Sequence, residues 1–474
     1  MRHAALASLL VALAAAPAAA QPAPTPPLDG FLALDDAGRR GAPRLRPERL
    51  LRLVPGLRGL APPTTGRLRL AVVLVAFADV GPAPWGPAAF ERALLSRGDY
   101  TRTPSGDPAF GSMADYYAEN SGGALALEGR VFDWVRLRAR RADVEPRPLV
   151  DPAGRALFGG ALDALLAREG ARALDDFDAL AFVVAGPQAT RRGSVLWPHS
   201  TAFVHRGRAW RYYLMHSHDR RGRFEAIGTH CHELGHVLGL PDKYGVGRGT
   251  GLGQWCAMAT GAHGGRPHGV DVAAPPRTFR DTARELVREQ VEQARGWLRD
   301  LGLPGRRRAP PPAGEARPLH LCAVCKARLG WTRPVTLDPR RGARVYLTSI
   351  EADARQVARV PLDPLGREAL VLEHRRPVGF DAELPRGGLL VWRTGDPTAA
   401  LRTFVPFAAV ELVTAHGVRS TDAALRTPAL VPFPIDGRDQ VVVAGRGPGA
   451  WRVRLSGIRV DAEGRLYVEV RRGE

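Results

Sequence analysis

Residues 232–236 read His232-Glu233-Leu234-Gly235-His236, two imidazoles bracketing a carboxylate. On a helix, side chains four apart lie one above the other on the same face. His232 and His236 can therefore aim ring nitrogens at a single zinc ion. Glu233, one step round, is placed to reach a water rather than the metal. Gly239 follows three residues later and Asp242 three after that. A glycine can take the left-handed conformation that ends a helix, and Pro241 cannot continue one. The chain should turn there and return Asp242 to the metal as third ligand. Three protein ligands leave one zinc position open, the catalytic rather than the structural arrangement. The plainer reading is a buried helix whose histidines only pack. Against it, a carboxylate between buried imidazoles needs a partner, and requiring Gly and Asp at these offsets makes a chance match about a hundredfold rarer.

The elements that must position this box are legible in outline. Residues 68–77 form a near-continuous Val-rich apolar run, which predicts a buried central strand. Residues 87–95 predict a helix. A Ser-x-x-Asp capping pattern, Ser112 to Asp115, starts another at Ser112. Alternation over 125–135 predicts strand, 157–167 a helix and 180–185 a second buried strand.

With these residues in view, the chain resembles a known family. H-E-x-x-H-x-x-G-x-x-D resembles the metzincin metallopeptidases, in which Asp is a known variant of a third His. Gly251-Leu252-Gly253-Gln254-Trp255-Cys256-Ala257-Met258-Ala259-Thr260-Gly261 resembles the G-x-G-x-W-x-x-M-x-x-G stretch of the M6 (immune inhibitor A-like) peptidases. That likeness implies that Met258, one of four methionines, forms the turn beneath the zinc. The order of Phe77-Ala78-Asp79, the S-x-x-D-Y-Y helix from Ser112 to Tyr117, and Ser121-Gly122-Gly123 is similar to the same family. So are Trp197-Pro198-His199-Ser200 with an edge strand over 212–218, Lys326-Ala327-Arg328-Leu329-Gly330-Trp331, and Leu372-Glu373-His374-Arg375 through Gly388 to Trp392. His199, His216 and His218 could support the ligands or bind metal themselves, but each is read as an ordinary surface or hydrogen-bonded histidine, because none has helical or paired spacing to the box. Family members often carry an Asp-rich calcium loop before the second buried strand. Asp175-Asp176-Phe177-Asp178 lacks its glycine and spacing, so no calcium is predicted.

Arg2 and His3, an apolar run over residues 4–16 and Ala18-Ala19-Ala20 read as a secretory signal, with cleavage near Ala20. The run is too short for a membrane span, and none is predicted elsewhere. Residues 21–66 are Pro- and Arg-rich and read as an N-terminal arm or a pro-segment, in which Asp35 or Asp36 could cover the metal. The formal charge is +19, yet Lys243 and Lys326 are the only lysines among 67 basic residues. The arginines are scattered rather than gathered on one face with aromatics, so no nucleic-acid partner is predicted. Four cysteines, Cys231, Cys256, Cys322 and Cys325, lack the spacing of a zinc knuckle. In an exported chain they predict two disulfides, with the pairing open.

After Met258 a helical insert, 264–318, departs from the family. It ends in Arg306-Arg307-Arg308 and Pro310-Pro311-Pro312. Beyond residue 335, short alternating runs broken by Gly, Pro and Asp predict a β-rich module. The expected class is α+β: a metzincin-like zinc peptidase domain (67–334), a twisted sheet plus active-site helix, followed by a β-sandwich-like C-terminal module (335–474). The expected function is that of a secreted endopeptidase with one catalytic zinc held by His232, His236 and Asp242. Glu233 serves as general base and acid, acting on protein or peptide substrates. The competing classes are an inactive secreted scaffold on a peptidase fold, and a zinc hydrolase of a non-peptide substrate.

Overall fold

In the first strand, β1 (Gly66–Ala76), every residue from Leu70 to Ala76 is fully buried. A strand whose two sets of side chains are both hidden must carry a layer on each face. The computed structural model describes residues 62–473, apart from 150, 190–192, 244–251, 265–316, 385, 396–409, 414–431, 435–436 and 447–448; for 152–155 only the backbone is described. The signal, most of the N-terminal arm and nearly all of the 264–318 insert therefore lie outside the described residues.

The sheet that contains β1 has five strands in the order β2-β1-β3-β5-β4. β2 (Leu125–Arg136), β3 (Ala179–Pro187) and β5 (Arg208–His218) run parallel to their neighbours, and β4 (His199–His205) pairs antiparallel with β5. The edge is thus β4 and not residues 212–218, which lie one strand further in. The apolar pattern explains why: Tyr212 to Met215 are buried on both faces, whereas β4 is mostly half-exposed.

Alternate residues of β1 feed two different cores. Leu68, Leu70, Val72 and Leu74 pack with α1 (Pro87–Leu95), α2 (Met113–Ser121) and the helix that carries the box. Ala71, Val73 and Val75 face the opposite core. After a one-turn helix, α3 (Arg141–Val144), α4 (Pro152–Glu169) supplies Phe158, Leu162 and Leu165 to that second core. The capping pattern at α2 is formed: Ser112 accepts from the Asp115 N–H while Asp115 accepts from the Ser112 N–H, and Gly122 closes the helix at φ 59°. Two orphan donors are met reciprocally, so the start of the helix is fixed.

Beyond residue 335 there are two sheets. One orders β11 (Val410–Val413), β10 (Gly388–Thr394), β9 (Ala369–Arg375), β8 (Val357–Pro361) and β6 (Val335–Thr336). The other orders β12 (Val441–Ala444), β13 (Arg452–Val460), β14 (Leu466–Arg472) and β7 (Ala343–Leu347). Leu372, Val391, Val453 and Val468 belong to a single apolar cluster between them. On their other face, β9 and β10 give Val371, Leu390 and Trp392 to the core that also holds the box helix. The first core therefore continues across residue 335.

Candidate metal centre

The box lies on α5 (Ile227–Val237). Its apolar side, Ile227, Cys231, Leu234 and Val237, enters the first core. Two phenols fasten it to the scaffold: Tyr117 Oη donates to the Cys231 carbonyl at 2.6 Å, and Tyr213 Oη meets His230 Nδ1 at 3.2 Å. The helix ends as its residues require. Leu238 N–H still donates to Leu234 O at 3.0 Å, Gly239 sits at φ +95°, and Leu240 N–H reaches back to Gly235 O at 3.0 Å. The turn redirects the chain, and Lys243 N–H donates to Met258 O at 2.6 Å, which holds the segment bearing Asp242.

The three candidate ligands meet at one point. His232 Nε2 and His236 Nε2 are 3.1 Å apart, and each is 3.1 Å from Asp242 Oδ1. The opposite ring nitrogens are both engaged: His232 Nδ1 donates to Ala257 O and His236 Nδ1 to Leu240 O, each at 2.8 Å. A carbonyl can only accept, so in each neutral ring the proton is on Nδ1 and the lone pair on Nε2. Two lone pairs and a carboxylate thus converge with no donor among them. Four ligands at zinc's ~2.0–2.1 Å would stand about 3.3–3.4 Å apart, close to what these side chains present. The donor set fits a cation such as zinc.

The electrostatics agree. Burial alone would pull His236 down, but Asp242, which accepts from the ring once it is protonated, and the charge of Glu233 raise it to about 9, so with no cation present a proton takes that place. Burial would raise Asp242, but the facing His232 and His236 rings, when they carry that proton, hold it far below the usual carboxylate range. The trio stabilises positive charge at its centre. It is also reachable, since the His232 side chain is 7% exposed but that of Asp242 is 41%. Glu233 stands outside the trio. Its carboxyl is pushed up by burial, an effect partly offset by His236 and His232, and its Oε2 is buried without a hydrogen-bond partner. Met258 is fully buried against α5: a Cβ added at Gly235 would come 2.5 Å from its Sδ. A side chain at this position would force the Met258 thioether to shift.

The other expectations come out less evenly. The two disulfides are not formed, and all four cysteines are free thiols. The reason is geometric. Cys256, Cys322 and Cys325 bring their sulfurs to one place while Cys231 is not among them, so two-by-two pairing has no partner for Cys231. His199 bonds Trp197 O and Tyr212 Oη, His216 Nε2 bonds Leu196 O at 2.6 Å, and His218 Nδ1 bonds Asp219 O. Tyr244 and Gly251 lie outside the described residues. The spacing gave no hint of the Ala257 and Leu240 carbonyls that orient the rings, nor of Tyr213. Tyr117 was visible only through the family likeness of its motif.

Comparison with known proteins bears on the same residues. The model of the immune inhibitor A peptidase M6 catalytic domain matches residues 215–292, a span holding the box, Asp242 and Met258. The pre-pro-metalloprotease PrtV of Vibrio cholerae serotype O1, in two strains, is 26% identical over 249 residues, covering 43% of this chain and 26% of the relative. The match thus spans about a quarter of that relative's length. The family model's match falls on the helix and turn described above, and both likenesses make this chain similar to metallopeptidases of the M6, immune inhibitor A-like, kind.

Proposed function

We propose that this protein is a zinc-dependent endopeptidase of metzincin type, exported after cleavage near Ala20. Its site is built from His232, His236 and Asp242 as ligands, with Glu233 as base. One observation carries the reading: three acceptors converge at 3.1 Å separations beside a buried carboxyl oxygen that has no partner. When bound there, zinc supplies Lewis acidity, polarising a scissile carbonyl and lowering the pKa of water at its open position. The remaining chemistry belongs to the chain. Ala257 and Leu240 fix which nitrogen of each ring faces inward. Glu233 Oε2 takes a proton from the attacking water and returns it to the leaving amine, and its burial-raised pKa suits a group that must do both. The exposed edge at Asp242 gives a polypeptide access. The two C-terminal sheets are read as a β-sandwich-like module that braces this site from behind.

A secreted scaffold on the same fold would have no use for an unpartnered buried carboxyl beside the ligands. A hydrolase of non-peptide substrates would share the machinery, and differs only in what it cleaves. The test is degradation of denatured casein by the purified protein, with and without a zinc chelator. Chelator-sensitive degradation that returns on adding zinc is expected. Intact casein under all conditions, from zinc-loaded protein, would overturn the peptidase reading.

A further inference from the structure

A second group of ligand atoms lies in the same core, away from the His232 trio. Cys322 and Cys325 sit at the start of α6 (Ala323–Arg328), and Cys256 arrives from the segment that carries Met258. The three sulfurs all lie within 4.8 Å of one another, Cys256 Sγ to Cys325 Sγ being 3.8 Å, and the residues are at most 1% exposed. The Cys322 backbone N–H also points at Cys256 Sγ, at 3.4 Å. Zinc–sulfur bonds of ~2.3 Å in a tetrahedron would set sulfurs about 3.8 Å apart, whereas a disulfide needs ~2.05 Å. No fourth Cys, His, Asp or Glu atom joins the group among the described residues.

We propose that Cys256, Cys322 and Cys325 form a structural site for a thiophilic cation, Zn2+ or Cu+. Soft thiolates select these ions, and a C-x-x-C pair joined by one distant cysteine supplies three thiolates from two segments. Each thiol loses its proton to solvent as its sulfur binds the ion. The bound cation opposes the negative charge this leaves. A disulfide would use two of the three sulfurs and leave the third reduced.

The position gives the site a purpose. Ala257, next to Cys256, accepts from His232 Nδ1, and Met258 packs beneath Gly235. Ala257 N–H donates to His320 O, and Leu319 N–H to Gly261 O. A cation here would bolt the floor of the catalytic centre to the segment leading into α6, a contact otherwise made by backbone hydrogen bonds and apolar packing. The inference is independent of the peptidase reading, because the two sites share no ligand.

The experiment uses the full chain carrying His232→Ala and His236→Ala, which disables the first site. The protein is kept reduced, reconstituted in parallel with Zn2+ and with Cu+, dialysed, and its metal content measured. About one equivalent of one of the two ions should remain. It should fall to background when Cys256→Ser is added and stay when Cys231→Ser is added instead. Because Cys256→Ser could unfold the core, a second measurement keeps the cysteines intact. Co2+ added to the protein carrying only His232→Ala and His236→Ala should give a thiolate-to-cobalt charge-transfer band in the near ultraviolet. Retention of neither ion, retention unaffected by Cys256→Ser, or no cobalt band would each overturn the proposal. So would a disulfide linking Cys256 to Cys322 or Cys325 in a non-reducing peptide map of native protein.

Discussion

Two clusters of ionisable groups flank the segment from Trp255 to Met258, and they close their charge in opposite ways. In the His232 trio every inward-facing atom accepts. Around Arg375 the chain brings its own cation. That guanidinium donates to Glu351 at 3.1 Å, Asp381 at 2.7 Å and Glu373 at 3.2 Å, as well as to the Trp255 carbonyl at 3.3 Å. The side chains are sealed, with exposures of 0–2% against 41% for Asp242. Burial and the nearby Asp381 push Glu351 up to about 9, so one acid keeps its proton, and Arg375 with the buried Lys326 balances Glu373 and Asp381. A buried set that includes its counter-ion is architecture, and one made of acceptors alone calls for an ion from outside.

The sharpest way to break this contrast is to remove a ligand. His232→Ala or His236→Ala should abolish tight zinc binding and with it proteolysis, with Asp242→Ala weakening retention. Full zinc by metal analysis in both histidine variants would show that the trio is not the metal centre. Glu233→Ala should keep the zinc, since Glu233 is outside the trio, and lower the rate on denatured protein by at least ~10²–10⁴-fold. Equal degradation by this zinc-loaded variant and wild type would exclude Glu233 as base.

Arg375→Met tests the other cluster. It strands carboxylates in a sealed core and should lower stability by about 3–5 kcal/mol in denaturant titrations, while zinc content per folded molecule stays the same. Lost zinc with unchanged stability would reverse the roles assigned to the two clusters. The smallest effect per pH unit concerns a buried group belonging to neither. Burial pulls His216 down to about 3, from an unfolded value near 6.5. Between these values the unfolded chain binds the extra proton, so this contribution is intact above pH ~6.5 and lost as pH falls toward 3. The slope is up to about 1.4 kcal/mol per pH unit. Thermal melts across that window should flatten in His216→Gln relative to wild type. Identical slopes would show that His216 titrates normally in the fold.

Much of the frame was already written in residue types. The Val-rich run became β1 because a strand apolar on both faces has no other place than the middle of a layered fold. Ser112 and Asp115 started α2 through local hydrogen bonds that need no tertiary partner. The H-E-x-x-H spacing put two imidazoles on one side of a helix, and Gly239 with Pro241 turned the chain so that Asp242 could return. All of these follow from distances of a few residues, over which backbone geometry is nearly fixed.

What the tertiary structure decided depends on atoms far apart in sequence. The carbonyls of Ala257 and Leu240 set the ring tautomers, and the first lies 25 residues from His232. Any residue has a carbonyl, so no residue type advertises that role. Gly235 looked like a free position in the box until Met258 was seen filling the space a side chain would need. The cysteines mislead for the same reason: counting them predicts pairs, whereas the packing of α6 against the 256–258 segment gathers three and leaves Cys231 apart. Short-range spacing is fixed by bond geometry and can be read from the chain. Which distant backbone and side-chain atoms meet is settled by how the layers pack, and that is known only once the core is assembled.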